Sequence, residues 1–119
     1  MTEETPIRKI DCVRLPVDDL DAAIRFYEGL GHRLNWRRPT QAGFRLPDSD
    51  AELVVQTEHA GQEIDFLVED AAIATERFTR AGGRSIEGPF DIEVGRCSVV
   101  EDPFGNKLVL LDLRYGLLT

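Results

Sequence analysis

The chain has 119 residues, of which 42% are hydrophobic and 30% charged, and its formal net charge is -8 at pH 7. This length suffices for one domain with a hydrophobic core. The acidity disfavours nucleic acid as a partner, because binding to phosphates needs clustered Lys and Arg. No apolar run reaches the about 20 residues that span a bilayer, and the N-terminus lacks a hydrophobic signal segment. We therefore expect a cytoplasmic protein of a single domain, residues 1–119, that binds neither nucleic acid nor membrane.

The first half of the chain is predicted to form a β-α-β-β-β unit. Side chains alternate between apolar and other types along residues 10–17, which is typical of a strand. Asp19 then offers an N-cap for a helix with an apolar stripe, and Gly29 and Gly31 end that helix. Three candidate strands follow within 33–37, 43–46 and 51–57.

The second half repeats this order at an offset of 51 residues. The matched pairs are Val13 and Ile64, Leu15 and Phe66, Val17 and Val68, Asp19 and Asp70, Tyr27 and Phe78, and Gly31 and Gly82. All six matches lie in positions with a structural role, which indicates a duplicated unit. The predicted units are residues 7–58 and 62–114.

The predicted fold class is α+β, with two tandem β-α-β-β-β units that form a curved mixed sheet. One helix for each unit covers only one sheet face, so we expect the helices outside and a concave cleft inside. Because side chains alternate along a strand, Cys12 and Arg14 are predicted to face this cleft in the first unit. Glu63 and Asp65 occupy the equivalent positions in the second.

The closing segment carries a recognisable turn, Asp102-Pro103-Phe104-Gly105-Asn106, between two apolar runs, which predicts a β-hairpin over 99–113. Together with residues 10–31, the segment 94–113 resembles the vicinal oxygen chelate superfamily. That superfamily includes glyoxalases, bleomycin-resistance proteins, extradiol dioxygenases and fosfomycin-resistance enzymes. The resemblance covers nearly the whole chain, supports the predicted fold, and implies a homodimer.

Metal-dependent members of this superfamily hold a divalent ion with His and Glu side chains at four positions. On the resemblance, the first-strand position falls on Cys12, its repeat on Glu63, and the closing-strand position on Val109, which has no donor atom. The fourth falls within 51–56, where Glu52 or Gln56 could serve. Cys12, Glu52 and Glu63 could together hold a divalent metal ion. Soft and hard ligands are rarely mixed in this way, so a metal site is the alternative and not the leading prediction.

Other catalytic chemistry finds little support in the sequence. It contains no nucleophile elbow, phosphate-binding Gly-rich loop or CxxC pair. Its two histidines, His32 and His59, fall in predicted loops, where solvated side chains are expected.

A binding cleft without a metal is therefore the leading prediction. The resemblance to bleomycin-resistance proteins, which sequester a cationic, partly aromatic drug between two subunits, implies an antibiotic-like or aromatic ligand and no cofactor. Flat aromatic rings and acidic groups suit such a ligand. The predicted ligand-binding residues are Cys12, Arg14, Trp36, Phe44, Glu52, Glu63, Asp65, Arg96 and Val109. Ordinary sheet packing remains the alternative for Trp36 and Phe44. A metal-dependent lyase or dioxygenase, and an accessory or regulatory domain, remain the alternative functions.

Overall fold

A computed structural model describes residues 5–116, which form eight strands and two helices. The elements are β1 (Ile7–Pro16), α1 (Leu20–Gly29), β2 (Leu34–Arg38), β3 (Gln41–Leu46), β4 (Ser49–Gln56), β5 (Glu63–Val68), α2 (Ala71–Arg80), β6 (Arg84–Asp91), β7 (Arg96–Glu101) and β8 (Lys107–Asp112). The α+β class and the repeated β-α-β-β-β order are confirmed. Neither helix is long and apolar enough to cross a membrane.

The described chain divides into two compact units. The first unit consists of residues 11–64, and the second of residues 5–10 and 65–116. The strand order is β2-β3-β4-β1 in the first unit and β5-β8-β7-β6 in the second. In each unit the first and last strands of the repeat pair in parallel, as β1 with β4 and β5 with β8, and the other pairs are antiparallel. The two units thus repeat in topology as well as in sequence.

Strand β6 contains a dipeptide that usually interrupts strands. Gly88 and Pro89 both disfavour a regular strand, yet β6 continues to Asp91. β6 lies at the end of the strand order, so the missing N–H of Pro89 can lie on the unpaired side. The pairing with β7 shifts register around this dipeptide, where Gly88 has a φ of 88°. An edge position and an irregular register therefore accommodate both residues within a strand.

Helix α1 begins and ends as the sequence predicts. The side chain of Asp19 accepts a hydrogen bond from the backbone N–H of Ala22 at 3.0 Å, and Gly31 follows the helix with a φ of 101°. The helix packs on one face of the strands of the first unit. The buried core between helix and strands contains Leu20, Ile24, Ala42, Phe44 and Val55. One face of this sheet is therefore taken up by the core.

The second unit follows the same plan. Asp70 caps α2 by accepting from the backbone N–H of Ile73 at 3.0 Å. Its core contains Val68, Ala71, Ala74, Val100 and Leu110. A buried hydrogen bond of 2.8 Å from Thr75 to Ser98 also joins α2 to β7. Because both hydroxyls are satisfied, these polar groups add little desolvation cost to the core.

The predicted hairpin between β7 and β8 is confirmed. The Asp102 carboxylate accepts from the backbone N–H groups of Phe104 and Asn106 and from the Asn106 amide, each at 2.9 Å. These bonds lower the pKa of Asp102, with the Asn106 side chain contributing most. Gly105 adopts a φ of 90°, a region that suits glycine.

Trp36 packs directly on the backbone of Gly43, its partner across β2 and β3. A Cβ atom at position 43 would lie 2.3 Å from the indole Nε1 and 2.4 Å from Cε2. The φ of Gly43 is not positive, so space and not backbone conformation requires glycine here.

A buried carboxylate, Asp112, ties together the end of β8, the start of α2 and the start of β7. It accepts from the backbone N–H of Ala71 at 2.8 Å, from that of Arg96 at 3.0 Å and from the Arg114 guanidinium at 2.7 and 2.9 Å. Burial by itself would raise the pKa of Asp112. The hydrogen bonds from the Arg114 side chain and from the backbone N–H groups of Ala71, Arg96 and Arg114 outweigh burial and lower the pKa to about 2.

Replacing Gly43 with Ala is expected to displace the indole of Trp36. The added methyl group would overlap the ring, so we expect a loss of about 1–3 kcal/mol in the free energy of unfolding and a red shift of the tryptophan emission. Gly61→Ala is the matched control, because a Cβ there meets nothing within 4 Å. Equal emission spectra for Gly43→Ala and wild type would contradict the close packing.

Asp112→Asn is expected to lower the free energy of unfolding by about 2–4 kcal/mol at pH 7, because an amide cannot serve all these donors. The folded-state pKa of about 2 lies below the ordinary value, so the stabilisation is complete above about pH 4 and lost as the pH falls towards 2. Urea unfolding should therefore show the difference between wild type and variant shrinking over this range. Asp21→Asn, which affects only an exposed ion pair with Arg37, is the control. Equal losses in the two variants would contradict the assignment.

Candidate functional site

The candidate site lies on the sheet face of the first unit that points away from α1, which we call the distal face. Leu53 and Val55 of β4 pack towards α1, so the alternate residues of that strand lie on the other side. Strand register extends this assignment to the neighbouring strands. The distal face includes Cys12, Arg14, Trp36, Gly43, Arg45, Glu52, Val54 and Gln56.

Glu52 is held by two side chains of β2. Its Oε1 accepts from the indole Nε1 of Trp36 at 3.0 Å, and its Oε2 accepts from the amide Nδ2 of Asn35 at 2.6 Å. Both donors reach the same carboxylate because the β2–β3 register shifts between Leu34 and Trp36. Each carboxylate oxygen therefore accepts one hydrogen bond, and the indole has a fixed orientation over Gly43.

Arg14 and Glu63 form an ion pair on the same unit. The guanidinium Nε lies 3.3 Å from a Glu63 carboxylate oxygen, and the side chains are 15% and 30% exposed. Among the described residues, this buried Nε makes no hydrogen bond, so the contact with Glu63 is electrostatic. Arg14 also pairs in register with Val54, which in turn pairs with Gly43 under the indole. A single row across the sheet thus runs from the aromatic ring to the guanidinium.

Gln56 serves the loop after β4. Its amide donates to the carbonyl of His59 at 3.0 Å and accepts from the backbone N–H groups of Glu58 and His59 at 2.7 and 2.8 Å. The side chain is fully buried. Gln56 therefore fixes the loop after β4, and its amide oxygen already accepts two backbone hydrogen bonds.

The equivalent face of the second unit is apolar. Cys97, Val109 and Leu111 are buried there and pack against Phe90, Ile92, Val94, Val99 and Leu113. Asp65 is the charged residue predicted for this face, and it is 8% exposed and paired in register with Val109. The second unit therefore has a buried apolar cluster with one carboxylate where the first unit has polar groups.

Two predicted ligand residues lie elsewhere, which corrects their expected placement. Phe44 is fully buried in the core of the first unit, 5.5 Å from the ring of Tyr27, because its position on β3 alternates with that of Gly43. Arg96 alternates with Cys97 and so lies on the α2 side of β7, with its Nε 3.6 Å from Asp91. Neither side chain is on the face where a ligand was expected.

The residues do not fit the metal site that the resemblance implies. Arg14 and Asp65 occupy equivalent positions in the two repeats. Arg14 pairs in register with Val54, and Asp65 pairs with Val109, so Val54 and Val109 are the matching closing-strand positions. Neither has a donor atom. Within the part of the chain that the structure describes, no three His, Cys, Asp or Glu side chains converge as metal ligands would. The alternative set is also compromised, because Glu52 already accepts two hydrogen bonds and Glu63 faces Arg14.

The histidines lie apart from these residues. His59 is exposed in the loop after β4, as predicted, whereas His32 is half-buried beside the ring of Tyr27 at a centroid distance of 6.5 Å. The backbone N–H of His32 donates to the carbonyl of Tyr27 at 3.1 Å, which holds His32 against the end of α1. The sequence pattern did not indicate this contact.

Sequence reasoning missed two residues that hold Trp36 and Glu52 in place, Asn35 and Gly43. Asn35 reaches Glu52 only through the irregular register of β2, which leaves no pattern in the sequence. A glycine inside a predicted strand, with a tryptophan on the preceding strand, was the available signal for Gly43.

Comparisons with known proteins agree with this architecture. The chain is 32% identical over 107 residues to an uncharacterized protein of Mycolicibacterium smegmatis, covering 85% of this chain and 90% of the relative. A similar solved structure is methylmalonyl-CoA epimerase from Mycobacterium tuberculosis, with a TM-score of 0.77, 20% identity, and coverage of 94% of this chain and 92% of that one. Homoprotocatechuate 2,3-dioxygenase from Brevibacterium fuscum is similar with a TM-score of 0.72 and 20% identity, covering 96% of this chain and 39% of that one.

At these identities the structural matches show the fold alone. A family match is more informative, because it covers residues 9–110 and therefore both predicted repeat units. The chain belongs to the Glyoxalase/Bleomycin resistance protein/Dioxygenase superfamily.

Proposed function

We propose that the protein binds a small organic molecule without using the metal ion of the superfamily's metal-dependent enzymes. The observation that carries this proposal is the pair of closing-strand positions, Val54 and Val109, which are 1% and 9% exposed and cannot coordinate a cation. A buried Cys12 at the first-strand position supports it further. Metal chemistry would then rest on Cys12 and Glu63, and one buried thiol with one carboxylate that is paired to Arg14 does not hold a divalent ion in a defined geometry.

The distal face of the first unit supplies the binding surface in this proposal. The half-buried indole of Trp36 offers a flat ring, and Arg14 with Glu63 offers a pair of opposite charges in the same row. Gly43 and Arg14 are separated by two strand spacings, which is about 10 Å. A planar ligand of that length with a polar end would contact both groups.

The alternative is a metal-dependent lyase or dioxygenase, since enzymes of the fold act on organic substrates and Glu63 remains a possible ligand. The antibiotic-like ligand and the homodimer that the resemblance implies are part of the leading proposal. In a homodimer a bulky ligand would gain contacts from a second copy of the chain.

Metal analysis separates the two functions. Protein purified without chelators is expected to hold well under one divalent ion per chain by mass spectrometry. Its melting temperature should stay constant with added Zn²⁺, Mn²⁺ or Fe²⁺, because a specific ion at 100 times its Kd would add about 2.7 kcal/mol and raise it by several degrees. One ion per chain in wild type that is lost in Glu63→Ala would overturn the proposal.

Ligand binding can be followed directly, because Trp36 is the single tryptophan of the chain. Titration with a panel of neutral and charged bicyclic aromatic compounds is expected to change its emission in a saturable way for some members. N-acetyltryptophanamide serves as the control for absorption and collisional quenching. Changes that match this control across the panel would contradict the proposed surface and favour an accessory role for the domain.

A further inference from the structure

Glu52 is the distal-face residue whose function the family resemblance leaves open. It was expected to be a metal ligand or a direct contact for the ligand, yet its two oxygens are committed to Trp36 and Asn35. A carboxylate that accepts from the indole N–H affects anything that contacts the ring. Glu52 can therefore influence binding through the ring that it holds.

We propose that Glu52 determines the charge preference of the site through Trp36, so that planar cationic or electron-poor rings bind more tightly than neutral rings of the same shape. This inference rests on the proposed function, because it needs Trp36 to contact the ligand. It assigns to Glu52 a positioning and electrostatic role in place of metal binding.

The first step of the argument is orientation. The indole is confined between two contacts: the Gly43 backbone leaves no room for a Cβ, and the 3.0 Å hydrogen bond fixes the Nε1 edge at Glu52. The 2.6 Å bond from Asn35 fixes the other carboxylate oxygen. A ring held by these two contacts, one of them to a carboxylate that is itself fixed, loses little further freedom when a ligand stacks on it, which favours binding.

The second step is electrostatic. The face of an indole carries negative potential and attracts cations, and a hydrogen bond from its N–H to a carboxylate polarises the ring further in that direction. The carboxylate charge acts on a ligand cation in the same sense. Arg45 lies opposite Glu52 across β3 and β4, but its side chain is exposed and solvent screens its charge. Arg14 lies two strand spacings from Gly43, about 10 Å, and the ion pair with Glu63 offsets its charge. The charge nearest the ring is therefore that of Glu52, which favours a cation.

The test uses two probes of nearly equal shape, quinoline at pH 8, where it is neutral, and N-methylquinolinium, which is permanently cationic. Affinities are measured by ligand-observed NMR, and the indole N–H resonance of the single tryptophan reports whether each probe contacts the ring. In wild type the cation is expected to bind about three- to tenfold more tightly than quinoline.

Glu52→Gln keeps the size of the side chain and an oxygen that accepts from the indole, but removes the charge. The affinity ratio is expected to fall to about one, while the indole N–H stays protected from hydrogen exchange. Glu28→Gln is the matched control: it removes the same charge from the exposed surface of α1, on the other side of the sheet, and should keep the wild-type ratio. Trp36→Phe, which has a ring but no N–H for Glu52 to polarise, provides a second variant should Glu52→Gln fail to fold. Its ratio should fall part of the way, to the value that the carboxylate charge alone supports.

The outcomes separate the two proposals. Binding of both probes with equal affinity in wild type, an unchanged ratio in Glu52→Gln or Trp36→Phe, or an equal fall in Glu28→Gln would overturn the role of Glu52 and leave the binding surface intact. No shift of the indole resonance with either probe would overturn the binding surface itself, and the role of Glu52 with it.

Discussion

The alternation of side chains along each strand is the constraint on which the rest of this structure depends. Each unit has four strands and one helix, so the helix covers one sheet face and the core takes every second residue. The residues between them form the other face. Phe44 and Gly43 are neighbours in the chain, yet one is fully buried beneath α1 and the other supports an indole on the distal face.

This constraint acts on two repeats that have diverged in opposite directions. In the first unit the distal face carries Arg14, Trp36 and Glu52, all with polar atoms in specific contacts. In the second unit the equivalent face has become a hydrophobic cluster around Val109. Both halves keep the same backbone plan, because each needs a core and helix caps, and they differ on the face that no helix covers.

Glu52 is both a candidate ligand position and the partner of an aromatic side chain. A carboxylate near Cys12 in register would have been a candidate ligand, but the irregularity in β2 turns Asn35 and Trp36 towards it. Each oxygen of Glu52 accepts a hydrogen bond from one of these side chains, so the partly buried acceptors are satisfied without a cation. The same contact that removes Glu52 from a ligand set gives Trp36 its orientation.

The sequence by itself determined the repeat, the helix caps at Asp19 and Asp70, and the hairpin closed by Asp102, because these depend on residues a few positions apart. It also determined that position 109 lacks a donor atom. Only the tertiary structure decided which strand positions meet: that Val54 matches Val109, that Asn35 reaches Glu52, and that Arg96 lies on the helix side. Register and bulges arise from pairing between distant strands, and a shift of one residue moves a side chain to the opposite face.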